Sequence, residues 1–213
     1  MIRSTGLEYP ERRLTTEPVR HGCTAVHDCH EPVTVAVDRL NRLKVSTSYP
    51  LLLHLFDRRT QGLISNECLA KAIESLVGFI LRRYVCGLDA RAYGKTFTKA
   101  CASLGPSTLE TLEAYLLQNE YPSDSRFKSS FVGFNLYDSP YGRFILESFE
   151  KGRGHREPAD LAGAEVEHIM PQTLTPQWRH DLGTEADRIH GQWLHSPGNL
   201  TLSAYNQTQL RRS

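Results

Sequence analysis

The chain has almost no net charge, no long hydrophobic run and no cysteine framework, and each absence removes a class of function. Its 25 lysines and arginines face 24 aspartates and glutamates, for a formal net charge of +1. Any nucleic-acid surface must therefore be a local patch. No apolar run approaches the length of a membrane span, so no membrane partner is expected. Met1 to Pro10 lacks the apolar core of a signal peptide. These two absences predict a cytoplasmic protein. The five cysteines are odd in number and follow no framework spacing, which fits a reducing compartment. No Gly-rich Lys-Ser/Thr phosphate loop is present, and there is no fixed-period repeat.

What the chain does have is length and helical periodicity. Its 213 residues suffice to bury a core without staples, as one domain or one domain with an annex. Residues 1–30 are rich in Pro, Thr, Arg and Glu and read as a loosely structured arm or linker. They hold His21, Cys23, His27, Cys29 and His30, four of which could bind zinc. The spacing is wrong for a Cys-x-x-Cys knuckle and no second pair follows, so a polar loop is the better reading.

Residues 31–156 read as a helical body. Helices are expected over 31–46, over 51–59 behind Pro50, and over a long stretch from a Ser65 cap to about Tyr84. Arg82 and Arg83 at its end offset the helix dipole or, on the functional reading, touch phosphate. Further helices are expected over 90–103, after a capping-box pattern at Ser107 and Glu110, over 123–132, and over 141–150 with Phe144, Ile145 and Phe149 inward. Asn135 to Pro140 reads as a turn.

Two short stretches carry the chemistry. Glu165-Val166-Glu167-His168-Ile169-Met170-Pro171 alternates apolar residues and ends at proline, so it reads as a strand bearing a carboxylate beside an imidazole. Asn199 to Leu202 reads as a second strand, running into a helix near Ser203 with Asn206 in its first turn. Hydrolysing a phosphodiester takes a base for water and a divalent cation for charge on the oxygens. His168 suits the base, because histidine titrates near neutrality. The hard oxygens of Glu167 and Asn206 suit Mg²⁺ or Mn²⁺. Asn199 would orient the imidazole from behind. Adjacent residues on a strand face opposite ways, so both serve one site only if the strand twists or ends there, which Pro171 allows. Gly198-Asn199 is also ordinary turn chemistry.

Glu167-His168-Ile169-Met170-Pro171-Gln172-Thr173-Leu174, then Trp178, then Gly198-Asn199-Leu200-Thr201-Leu202, then Asn206, resembles the C-terminal HNH nuclease domain of GmrSD-type and SspE-type restriction proteins. Tyr49 to Phe56 and Leu81 to Gly87 resemble the helical part of that domain. The resemblance spans roughly residues 49–213. It implies an α+β, mostly α fold: a helical, bundle-like body followed by a small ββα-metal HNH motif over 157–213. It also implies metal-dependent cutting of foreign or phage DNA, and an upstream nucleotide-hydrolysing sensor domain that this chain does not contain. In the family the motif helix continues to a further basic residue, so the chain reads as a C-terminal fragment with its far end truncated.

Around the motif, Lys151, Arg153 and Arg156 form a basic link that would hold the DNA backbone or serve only as a solvated linker. Residues 172–197 form an insert anchored by Trp178 and Trp193, with a helix over 184–194. His195 is the insert's histidine nearest the motif and a candidate accessory contact to metal or phosphate. No Cys-x-x-Cys pair brackets the site, so structural zinc is not expected. One such site predicts a nickase. Double-strand cleavage would need a homo-oligomer or two sequential nicks. The competing reading is an inactive helical module that binds DNA or docks the upstream sensor domain.

Overall fold

The computed structural model describes residues 31–153 and 161–203. The expected arm over 1–30, with its cysteine and histidine cluster, lies outside the described residues, as do Arg156, Asn206 and the helix expected after Ser203. The described fold is α+β and mostly helical, with one two-stranded antiparallel sheet.

Among the described residues seven α-helices precede the sheet: α1 (Glu31–Arg42), α2 (Tyr49–Thr60), α3 (Asn66–Val85), α4 (Tyr93–Ser103), α5 (Thr108–Gln118), α6 (Asp124–Val132) and α7 (Gly142–Gly152). The longest, α3, is the axle. The Ser65 hydroxyl caps it by accepting the Cys68 N–H at 3.1 Å. Leu69, Ile73, Leu76, Val77, Phe79 and Ile80 recur at helical spacing and are almost wholly buried against neighbours that include α1, α2 and α5. Each such side chain contributes about 1.5–3 kcal/mol of burial. The helix stops at Gly87, whose φ of +67° suits glycine, with the Leu88 N–H bonded to the Arg83 carbonyl at 2.9 Å.

Arg83 exceeds both readings of its sequence. It is 3 % exposed, and its guanidinium donates to the carbonyls of Asp89, Asn119 and Glu120 and pairs with the Glu120 carboxylate. Arg82 donates to the Pro122 carbonyl and pairs with Asp124 at 2.6 Å. Both arginines staple the end of α3 to the loops around it.

Three local expectations change. Ser107 precedes α5 without capping it through its side chain. The Thr111 hydroxyl instead bonds the Ser107 carbonyl at 2.9 Å and accepts the Gly105 N–H at 3.2 Å. Phe149 is half exposed, edge-on to Phe131 at 5.6 Å. Lys151 lies inside α7, which runs to Gly152, so the basic link begins as helix. In the same helix Glu147 is buried between Arg42 of α1, at 2.6 Å, and Arg143, at 2.7 Å. A Cβ at Gly142 would meet the Leu136 carbonyl oxygen inside van der Waals contact, so the turn before α7 packs this tightly only over glycine.

The sheet joins β1 (Glu165–His168) to β2 (Leu200–Ser203), with His168 opposite Leu200, Glu167 opposite Thr201 and Val166 opposite Leu202. Val166, Leu200 and Leu202 belong to the main core, so one face of the sheet rests on the helices. Between the strands the insert forms α8 (Pro176–Leu182), which the periodicity did not announce, and α9 (Ala186–Trp193). Met170, Leu174 and Ala186 make a small second core under Trp178, Leu182 and Trp193.

Candidate active site

The register of the sheet decides which side chains meet. Alternation puts His168 on the face of Val166, at the edge of the core, and Glu167 on the opposite face with Thr201. β1 ends at His168, where the chain bends toward Pro171.

Three rings converge there. His168 Nε2 lies 3.2 Å from His195 Nδ1. The Tyr137 ring stands 4.3 Å from the His168 ring and is stacked on His195 at 5.2 Å, with an interplanar angle of 17°. On the other side of His168, the Gln172 amide nitrogen is 3.3 Å from Nδ1 and 3.3 Å from the Tyr137 hydroxyl. Burial lowers the His168 pKa, and the neighbouring His195 adds to this, as does His190. Glu167 and Asp138 pull the other way without prevailing. The imidazole is therefore held toward its neutral form.

Asn199 is placed one residue before the strand expected of it, in the turn Pro197–Asn199. Its buried amide does not touch His168. Oδ1 accepts the Met170 N–H at 2.6 Å, and Nδ2 donates to the carbonyls of Met170 at 3.1 Å and Leu194 at 2.8 Å. Its backbone carbonyl accepts the Ile169 N–H at 2.9 Å. Asn199 thus clamps the two residues that follow His168. The segment that carries it is also fixed, because the His195 carbonyl accepts the Leu136 N–H at 2.8 Å and the Tyr137 N–H at 3.3 Å. His190 closes the loop from the insert, its Nε2 lying 3.0 Å from the Pro171 carbonyl.

The proposed metal donors are only partly in view. The Glu167 carboxylate has no hydrogen-bond or ion-pair partner among the described residues and stays available as a hard-oxygen donor. Among the described residues no three His, Cys, Asp or Glu side chains converge into a metal-holding group. Of the basic residues, Lys151 and Arg153 lie exposed at the end of α7, and Arg153 comes within 3.5 Å of Glu150. Arg153 lines a cleft of about 540 Å³ between α7 and β2, with Leu161, Thr201 and Leu202. His168 is not among its walls.

Sequence reasoning singled out His168 and His195 separately, without their contact, and missed Tyr137 and Gln172. Tyr137 sits in a segment legible only as a turn, far from the motif in the chain. Gln172 was visible within the motif without any sign of its contacts.

Residues 121–211 match the family model described as GmrSD restriction endonucleases, C-terminal domain. The matched stretch takes in Tyr137, both strands and the insert. No curated protein and no solved structure matches the chain. Among the described residues, no helix is long and apolar enough to cross a membrane.

Proposed function

We propose that the chain is a metal-dependent DNA endonuclease of the HNH kind that nicks foreign or phage DNA, because residues 121–211 match the model of the C-terminal domain of GmrSD restriction endonucleases. His168 is the general base. Its pKa lies below the usual histidine value, so at neutral pH it is ready to accept a proton from water. Asn199 holds the backbone beyond His168, and so fixes where the ring stands. Glu167 and Asn206 would hold a divalent cation, Mg²⁺ or Mn²⁺, whose chemistry there would be to offset charge on the phosphodiester oxygens. Lys151, Arg153 and Arg156 hold the DNA backbone. A single site cuts one strand, so a double-strand break takes a homo-oligomer or a second nick. An upstream nucleotide-hydrolysing sensor domain selects the DNA in the cytoplasm.

The observation that carries this reading is the half-buried, neutral-leaning imidazole at the end of β1, inside the matched stretch. The test is supercoiled plasmid incubated with Mg²⁺ or Mn²⁺ against EDTA, beside His168→Ala. Metal-dependent open circles that vanish in the variant are expected. If no conversion occurs while a gel shift persists, the enzyme reading falls and a DNA-binding helical module takes its place.

A further inference from the structure

The helices before the sheet reach into the imidazole site at one point, the turn between α6 and α7. That turn is rigid. Leu136 is wholly buried, and the Asn135 side chain bonds both the Asp138 carboxylate, at 2.8 Å, and the Asp138 N–H, at 3.2 Å. The amides of Leu136 and Tyr137 are tied to the His195 carbonyl. The turn presents Tyr137 to both histidines, and its hydroxyl to Gln172.

We propose that Tyr137 and Gln172 are positioning residues that fix the tautomer of His168, which rests on the reading of His168 as the base. One amide group faces both the phenol oxygen and His168 Nδ1. With its nitrogen toward them it donates to each, which leaves Nδ1 unprotonated and puts the ring proton on Nε2, toward His195. With its oxygen toward them it accepts from the phenol and from Nδ1–H, which frees the Nε2 lone pair. The phenol serves either orientation, because a hydroxyl both donates and accepts. In each case the amide and the ring proton are set together, and the tautomer decides which nitrogen can take a proton from water. Tyr137 also walls the ring sterically, so the imidazole does not swing out of register with Gln172.

Tyr137→Phe and Gln172→Leu in the full chain test this. Each should lower kcat for plasmid nicking about fivefold, as expected for loss of one hydrogen bond to the base, with KM for DNA within about twofold. The double variant should be no worse than either single, since both act through one amide. Multiplying effects, or a change confined to KM, would overturn the proposal and make these residues DNA contacts. A second readout does not depend on activity. The ¹⁵N chemical shifts of His168, assigned with His168→Gln, should report one dominant tautomer in the wild type and an averaged pair in each variant. Unchanged shifts would refute the proposal even if the protein nicked DNA. Averaged shifts in the variants of a protein that does not nick would uphold the positioning while the nuclease reading failed.

Discussion

The helices α1–α7 and the paired strands with their insert are held together by different forces. The helical part shares one apolar cluster, from Val33 on α1 to Leu146 on α7, in which many side chains are wholly buried. The insert and the bend before it share only a small second core, Met170, Leu174 and Ala186 under two tryptophans and a leucine. What they lack in buried area they make up in directed hydrogen bonds, those of Asn199 above all. Apolar packing is non-directional and sets overall stability, whereas hydrogen bonds set positions. The region where the two imidazoles meet is the one built on directed bonds.

Three changes test that contrast. Phe79→Ala should be the most damaging. Its ring lies against Phe97, Tyr93 and Tyr121 at about 6 Å between centroids. The cost should be about 3–5 kcal/mol in urea unfolding, lost by helices and sheet alike. A variant within about 1 kcal/mol of wild type would remove α3 from the centre of the stability account.

Asn199→Ala should cost about 2–3 kcal/mol, because it strands the buried Met170 N–H and two carbonyls. Its signature is regional. Hydrogen exchange should quicken at residues 166–174 and 194–202 while α3 keeps its protection. Uniform loss of protection would show that the two regions open as one unit.

Glu147→Gln should cost about 1 kcal/mol, since its partners Arg42 and Arg143 are part-exposed. Burial alone would raise the Glu147 pKa, but hydrogen bonds from Arg143 and Arg42 outweigh it and the net shift is downward. A depressed carboxyl pKa stabilises the fold above the ordinary carboxylate range, and that stability is lost as pH falls through the folded-state value. Thermal melts should then fall below about pH 4 in the wild type, and less steeply in the variant. Identical slopes would show that the α1–α7 contact owes nothing to this charge.

The helices were legible because their information is local. Ser65 before a stripe of Leu, Ile and Val names both the start and the buried face of α3. Ser123 marks the start of α6, its hydroxyl accepting the Arg126 N–H at 3.3 Å. Helix α8 was missed because a seven-residue segment behind Thr175 and Pro176 is too short for periodicity to register. The capping box failed because the pattern does not reveal that the Ser107 side chain accepts no helix N–H, while Thr111 ties the helix start through the Gly105 N–H and the Ser107 carbonyl. In the site, order along the chain pointed to His168, Asn199 and His195, but not to what Asn199 holds. That depends on the bend after His168, which returns the Met170 backbone to the amide. Tyr137 was illegible for a plainer reason, since the rings it meets, His168 and His195, lie far from it in the chain.

Gly142 shows how far such a dependence reaches. The hydrogen atom it carries in place of a methyl is a tolerance built into the chain. Any larger group there would act as a wedge, lifting the Leu136 carbonyl from the start of α7. The adjoining amides are moored to His195, so the displacement would travel along the turn and arrive as a misalignment of the rings. The accuracy of the imidazole cluster is thus set in part by a residue with no side chain, at a helix start that never meets it.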